Sequence, residues 1–217
     1  MKTGQWIAAG IGLAAIGGAV AFAQFRDTET PAHNVLIADG EFELREYAPM
    51  IVAEVTHSGT RERASSAGFR RLAAYIFAKD RPAGSGDGAE KIAMTAPVMQ
   101  ERVDKHEPIA MTAPVMQDRQ VAGRWRTRFV MPSHYSMEEL PEPPSDITLT
   151  GVPARRMAAV RFSGNPDKVD LSAMERRLAD WIAQQGLSAQ GTFEYAFYDA
   201  PMIPGPLRRN EVMIEVE

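Results

Sequence analysis

Cysteine is absent from this sequence of 217 residues. Its absence excludes disulfide bonds, thiolate metal sites, thioether attachment of a prosthetic group and a lipidated amino-terminal cysteine. Histidine is scarce, and its four positions are His33, His57, His106 and His134. No two of these are placed at metal-ligand spacing, so we predict structural or surface roles for them and no metal site built by the protein.

Signals for catalysis and for nucleic-acid binding are also missing. The sequence has no cysteine nucleophile, no Gly-x-Ser-x-Gly elbow and no histidine in a recognisable catalytic string, so we predict that the protein is not an enzyme. Its formal net charge of −4 gives no reason to expect a nucleic acid as partner. The length and a 45% hydrophobic share suit one globular domain.

The amino terminus carries the longest uncharged run. Residues 6–23 contain no charge and end in Ala21-Phe22-Ala23, which fits the small-x-small rule for signal peptidase. The run is also long enough to span a bilayer, which takes ~20 residues. Residues 1–23 are therefore predicted to be a signal peptide or a signal anchor, and both place the domain in the periplasm or tethered to the inner membrane facing it. Residues 24–34 are predicted to be a polar linker, and residues 35–217 the folded domain.

One nonapeptide, IAMTAPVMQ, occurs twice, at 92–100 and at 109–117. Its apolar residues and its Ala-Pro step predict an extended segment in each copy, because proline disrupts helices. Proline cannot donate to a β ladder, so Pro97 and Pro114 indicate an edge strand or a bulge. The polar residues 102–107 predict a turn that brings the two copies together as neighbours.

The rest of the pattern predicts one succession of elements twice. In the first half, strands at 42–47 and 51–57 form a predicted hairpin, and a helix runs from Thr60 to about residue 79. In the second half, strands at 147–149 and 157–162 precede a helix capped by Asn165.

Three further strands are predicted at 124–131, 192–198 and 212–216. In the first of these, Arg124, Arg126 and Arg128 alternate with apolar residues and are expected on a solvated face of the sheet. The order of elements predicts an α+β domain in which two similar halves join their sheets, each covered by one amphipathic helix.

Five strings, in this order, resemble the SOUL family of haem-binding proteins. They are FELREYAP at 42–49, KIAMTAPV at 91–98, FVMP at 129–132, RFSG at 161–164 and YDAPMIPGPLRRNEV at 198–212. The resemblance implies a distorted antiparallel β-barrel flanked by two helices, although a β-sandwich with the same order of elements would give the same pattern. It also implies non-covalent binding of haem or a related tetrapyrrole.

The resemblance further implies a ligand site, an apolar cleft between the first helix and the loop before the last strand. The residues that match this cleft are Phe69, Arg70, Ala73 and Ile76 of the helix and Pro201, Met202 and Ile203 of the loop. Relatives place basic residues there, whereas the matching positions in this sequence are Ser66, Ala74 and Ile203, and Arg70 and Arg71 are the nearest substitutes.

Departures from the family pattern keep two alternatives open. Glu46 stands where some relatives carry a proposed histidine ligand, so no axial ligand to haem iron is predicted. The protein is then either a haem binder that relies on apolar contact, an envelope interaction or structural protein that has lost haem binding, or a binder of another small planar molecule. The polar string at 208–211 is predicted to fix the last loop.

Overall fold

The computed structural model describes residues 28–80, 91–103, 123–200 and 202–217. In this part of the chain the strands are β1 His33–Asp39, β2 Phe42–Tyr47, β3 Met50–Gly59, β4 Val98–Arg102, β5 Gly123–Val130, β6 Thr148–Val152, β7 Arg155–Phe162, β8 Ala189–Phe197 and β9 Asn210–Val216. The helices are α1 Arg61–Ile76 and α2 Leu171–Gln184, and a 3-10 turn spans Gly205–Leu207.

The nine strands form one antiparallel sheet in the order β1-β2-β7-β9-β8-β4-β5-β3-β6. The expected α+β class and the two flanking helices are confirmed. The expected barrel is wrong, because β1 and β6 are the two edges of an open sheet. Sequence alternation predicts which residues share a face of a strand, but it does not determine whether the two ends of a sheet meet.

The two halves exchange their first strands. The first half is β2, β3, α1, β4 and β5, the second is β6, β7, α2, β8 and β9, and they join where β4 pairs with β8. β2 pairs with β7 of the other half, and β6 pairs with β3. The predicted hairpin of β2 with β3 is therefore wrong, since the short Ala48-Pro49 connection redirects the chain instead of pairing its flanking strands.

Helix α1 covers the half of the sheet that contains β3 and β5. Thr60 caps it as predicted, and its buried residues Ala64, Gly68, Leu72 and Ile76 recur every four positions. Gly68 permits a close approach, because a Cβ there would lie 2.4 Å from Oγ1 of Thr127. The helix ends at Ile76 instead of near residue 79.

Helix α2 covers the other half, over β7 and β9. Asp170 caps it, its side chain accepting a hydrogen bond from Ala173 N, so the predicted cap at Asn165 is wrong. Asn165 instead accepts from Asp167 N within a preceding turn. The helix buries Leu178, Trp181 and Ile182 among side chains of the sheet.

The first copy of the repeated nonapeptide leads into the middle of the sheet. Pro97 immediately precedes β4, which lies between β8 and β5, so the expected edge strand is wrong for this copy. A proline just ahead of a strand does not interrupt its ladder. The second copy, with Pro114, and the turn between the copies lie outside the described residues.

Residues ahead of the predicted domain start are packed on the fold. The backbone of Glu29 accepts a hydrogen bond from Ala96 N at 2.9 Å, and its carboxylate accepts one from Ser133 N at 2.8 Å. β1 begins at His33 and pairs with β2. Within the described ranges no helix is long and apolar enough to cross a membrane, and residues 1–27 lie outside those ranges.

Candidate functional site

The helix residues predicted to hold the ligand differ in exposure. Ile76 is 1% exposed and packs in the core, so it is not available to a ligand on the surface, whereas Phe69 is 37% exposed. Phe69 lies beside the buried stripe of α1 instead of within it. Ala73 is half-buried and Arg70 is exposed. The helix therefore presents Phe69, Arg70 and Ala73.

The loop residues predicted to face them belong to the connection between β8 and β9. Met202 is 71% exposed, Ile203 is 6% exposed, and Pro201 lies outside the described residues. The Nε of Arg208 donates to the carbonyl of Ile203 at 2.7 Å, and Nδ2 of Asn210 donates to the carbonyl of Gly164 at 3.0 Å. The prediction that the string at 208–211 fixes this loop is confirmed.

An apolar row of side chains leads across the sheet from α1 toward this loop. Phe69 packs edge-on against Phe129 of β5, with ring centroids 5.4 Å apart. Phe129 lies opposite Val98 of β4, and Val98 lies opposite Phe197 of β8. Val98 and Phe197 are only half-buried, and the chain continues from Phe197 into the loop that carries Met202.

Sequence reasoning missed three members of this row. Val98 and Phe129 lie inside KIAMTAPV and FVMP, two of the strings that carry the resemblance, and Phe197 directly precedes the fifth string. The signal was therefore present in the motifs, but the cross-strand register that aligns these residues follows only from the fold.

Two arginines lie near the ends of the row. Arg70 is exposed on α1 next to Phe69. The guanidinium of Arg61 lies 5.9 Å from the ring centroid of Phe197 and donates to Asp167 Oδ1 at 2.8 Å and to the carbonyl of Pro166 at 3.0 Å. An apolar surface with an arginine near each end suits a planar apolar molecule that carries carboxylates at its rim.

A separate pocket of about 790 Å³ opens on the surface at the corners that lead from β2 to β3 and from β6 to β7. It is lined by Glu29, Thr30, Pro31, Ala32, Ala48, Pro49, Met50, Ile51, Thr95, Val130, Met131, Pro132, Ser133, Tyr135, Gly151, Val152 and Pro153. None of these lining residues is lysine or arginine, and Glu29 is the one carboxylate. None of the predicted site residues lines it. We call this cavity the corner pocket.

A second cavity, of about 10 Å³, adjoins the corner pocket. Four methionines line it, and we call it the methionine cavity: its walls are Pro31, Tyr47, Met50, Pro97, Met99, Arg155, Met157 and Met213. Pro31 and Met50 line both cavities.

The face of the sheet opposite the helices carries a buried ion cluster. Arg45 donates two hydrogen bonds to Glu211, at 2.6 and 2.9 Å, and the two side chains are 2% and 0% exposed. Arg209 donates to Glu211 Oε1 at 2.7 Å and the Tyr198 hydroxyl donates to Oε2 at 2.8 Å. Burial alone would raise the pKa of Glu211, but Arg45 and Arg209 outweigh it and hold that pKa below its ordinary value. Because its partners already occupy the carboxylate, this cluster fixes the sheet and leaves Glu211 no free oxygen for a ligand.

A second ion network corrects the expected role of Arg126 and Arg128 in the arginine stripe on β5, whereas Arg124 is exposed as expected. Arg128 donates to Glu54 at 2.9 Å and is paired with Glu101 at 3.0 Å, while Arg126 pairs with Glu101 at 3.0 Å. Arg128 is 14% exposed and Arg126 is 33% exposed, so they do not lie on an open, solvated face. The pKa of Glu101 is raised, first because burial penalises its charge and also because Glu194 lies near. The network pairs charges on neighbouring strands.

In the described part of the chain, no group of three histidine, aspartate or glutamate side chains could hold a metal ion.

The fold is shared by solved structures of low sequence identity. The C-terminal domain of EcmrR superposes with a TM-score of 0.57 at 13% identity, over 81% of this chain and 96% of that domain. A structure titled as a hydrolase from Listeria innocua gives a TM-score of 0.54 at 12% identity, over 84% of this chain and 94% of the other. EcmrR in a complex with DNA gives 0.56 at 14% identity, over 81% of this chain and 57% of that longer chain. At these identities the likeness defines a fold class, and function needs evidence from the site.

The family is defined by sequence. The model of the SOUL heme-binding protein family matches residues 28–215, which is most of the chain, and the protein belongs to this family. No curated protein matched the sequence.

Proposed function

We propose that this protein binds haem or a related tetrapyrrole non-covalently, outside the cytoplasm, and acts as a binding protein instead of an enzyme. Membership of the SOUL heme-binding protein family over residues 28–215 is the observation that carries the proposal. The uncharged run at residues 6–23 supports the location, as a signal peptide or as an anchor.

The ligand site in this proposal is the surface between α1 and the loop after β8. A tetrapyrrole face lies against Phe69, Ala73 and the row through Val98 and Phe197, with Met202 on the opposite side. Burial of apolar area stabilises by about 25 cal/mol per Å², before the costs of association, so contact with a planar ring system is sufficient for useful affinity. Binding then depends on shape more than on iron.

The cations supply orientation. Haem carries two propionates, and Arg70 is exposed beside Phe69, where it is accessible to a carboxylate. Arg61 lies near Phe197 at the other end of the row, although Asp167 already binds it. Arg70 is therefore the main propionate partner in this proposal.

A second candidate function rests on the corner pocket. Its volume of about 790 Å³ falls within the range of about 300–1,000 Å³ that is usual for small-molecule sites. Its walls are mostly apolar and include no lysine or arginine, so they favour a neutral apolar molecule over one with two carboxylates. If this pocket is the functional site, the ligand is a small molecule other than haem.

One charge inserted at each place distinguishes the two sites. Ala73→Glu puts a carboxylate on the proposed tetrapyrrole surface, and Val152→Glu puts one in the wall of the corner pocket; both positions are half-buried, so the variants are matched. Titration of the purified full-length protein with haemin, followed at the Soret band, should show weakened binding in Ala73→Glu and unchanged binding in Val152→Glu. The reverse result would contradict the proposed surface, and also the expectation that the corner pocket disfavours haem. Thermal denaturation of both variants checks that each still folds.

A further inference from the structure

The repeat in the sequence extends beyond the nonapeptide. Residues 92–102 and 109–119 are identical at ten of eleven positions, and the remaining position is a carboxylate in both, Glu101 and Asp118. The tetrapyrrole surface uses one residue of the first copy, Val98, and does not explain why the string occurs twice. The contacts that the first copy makes in the fold define what the second copy would have to reproduce to take its place.

The residues ahead of β4 are held by burial and by hydrogen bonds. Ile92 is 1% exposed in the apolar cluster that α1 covers, and its backbone N–H donates to the carbonyl of Ile76 at 2.9 Å. The hydroxyl of Thr95 donates to the carbonyl of Val130 at 2.6 Å. The second copy has an isoleucine and a threonine at the same spacing, so it carries the groups that each of these contacts needs.

The residues of β4 are matched to both neighbouring strands. Met99 is 6% exposed and lies opposite Ala196 of β8. Gln100 is 1% exposed, and its Nε2 donates to the first carbonyl of α1 at 3.2 Å. Glu101 is paired with Arg128 of β5 at 3.0 Å. The second copy has the same methionine and glutamine, followed by a carboxylate on a side chain one methylene shorter, so its side chains suit the same place in the sheet.

The connection to β5 also permits the second copy in this place. At the end of the first copy, the backbone N–H of Val103 donates to the carbonyl of Arg124 at 2.9 Å. With the second copy in the same register, Gln120 would take the position of Val103, and only Val121-Ala122-Gly123 would remain as the loop. Hairpin loops of three residues commonly end in a left-handed residue, which glycine adopts readily. The cost is the pairing of Gly123 with Gly59 at the end of β5.

The connection from α1 becomes longer in the same arrangement. Residues 77–91 join α1 to the first copy, and residues 77–108 would join it to the second. The entropic cost of closing a loop grows only slowly with its length, so the longer connection is tolerated. We propose that either copy can occupy the position of β4, so that the protein folds into two forms. Val98 is replaced by an identical valine in the second form, so the tetrapyrrole surface keeps its chemistry and this proposal does not rest on haem binding.

A charge placed in one copy at a time tests whether the other copy can replace it. Ile92→Asp puts a carboxylate into the apolar cluster, Ile109→Asp makes the same change in the second copy, and a third variant carries both. In urea unfolding of the purified full-length protein, each single variant should keep a midpoint close to that of the parent, and the double variant should lose most of its stability. An Ile92→Asp variant as unstable as the double variant would overturn the proposal, because the second copy would then have failed to replace the first.

Disulfide trapping in a chain without native cysteine locates each copy directly. Ala196→Cys on β8 is combined with Met99→Cys or with Met116→Cys, since residues directly opposite each other on antiparallel strands lie close enough for a disulfide. After mild oxidation, both pairs should form a disulfide within one chain, each in a fraction of the molecules. Ala196→Cys with Met111→Cys, which is in the second copy but out of register with Ala196, is the matched control and should form none. A Met116→Cys pair that links no more than this control, or that links only two separate chains, would overturn the proposal.

Discussion

Replacing Arg45 with methionine tests how the buried cluster around Glu211 stabilises the sheet. Arg45 binds Glu211 through two hydrogen bonds of 2.6 and 2.9 Å, and both side chains are almost fully buried. Removing one partner of a buried ion pair costs about 3–5 kcal/mol, since the other charge is left without compensation. Arg209 and Tyr198 still contact Glu211 in the variant, so we expect a loss of about 3 kcal/mol in the free energy of unfolding, at the low end of that range.

The sign of the pH dependence makes this prediction specific. In the parent protein the pKa of Glu211 is lowered, so its contribution is present above the unfolded pKa and is lost as pH falls through the folded pKa. Burial is already the largest single influence on Glu211, so without Arg45 we expect burial to outweigh Arg209 and to raise the pKa of Glu211. The carboxylate then destabilises the variant at neutral pH, and protonating it relieves that cost. The gap between the variant and the parent should therefore narrow as pH falls from neutrality.

Urea unfolding at about pH 7 and about pH 5 measures both effects. Arg45→Met should lose most stability at the higher pH, and adding Glu211→Gln should recover part of the loss. Arg176→Met is the control, because the ion pair of Arg176 with Asp170 is 3.6 Å long and exposed on both sides, so its loss should cost less than about 1 kcal/mol. A cost below about 1 kcal/mol for Arg45→Met, or a gap that widens at low pH, would refute the reasoning.

Three further predictions follow from particular contacts and segments. Gly68→Ala should destabilise by about 1–3 kcal/mol in urea unfolding, because its Cβ would lie 2.4 Å from Thr127 Oγ1, whereas Gly151→Ala meets open space and should change little; equal effects would contradict this close approach. Protease added to spheroplasts should digest the domain if it is tethered to the membrane, and a domain that is not tethered should be released with the periplasmic contents. A domain that resists protease until the cells are lysed would show a cytoplasmic location. Alanine at any one of His33, His57, His106 or His134 should leave the haemin titration nearly unchanged, and loss of binding in one variant would identify an axial ligand.

Local chemistry made much of the secondary structure predictable. Thr60 has a side chain suited to capping, and the alternation at 124–131 marks a strand whichever partners it pairs with. The order of elements also predicted two similar halves with one helix each. Helices and strands can be told apart because apolar residues recur with a period of 3.6 residues in a half-buried helix and of two residues in a half-buried strand.

Pairing partners could not be predicted from the same patterns. β2 has the alternation of a hairpin strand, and it was expected to pair with β3. Its partners are instead β1, which precedes it in the sequence, and β7, which follows much later. The choice depends on how the two halves exchange strands, which is a property of the whole sheet. For the same reason the stripe of Arg126 and Arg128 seemed solvated, since its partner Glu101 comes from a neighbouring strand.

The candidate site was likewise predictable only in part. The exposure of Phe69 and Met202 suits a role in binding. Ile76, however, is in the core, because it lies four residues after the buried Leu72 and residues four apart share one face of a helix. The corner pocket depends on residues 29–32 and on the two proline-containing connections at Pro49 and Pro153, which are far apart in the sequence. No sequence period brings such segments together.

In the proposed function, apolar surface and not an iron ligand holds the tetrapyrrole on this protein. The most direct measurement is a paired titration of the purified full-length protein with haemin and with iron-free protoporphyrin, each followed by absorbance in the Soret region. We expect saturable binding of both molecules, and we expect Ala73→Glu to weaken each. Binding of haemin without any binding of protoporphyrin would contradict the claim in favour of axial ligation, and the absence of a shift with either molecule would contradict tetrapyrrole binding itself.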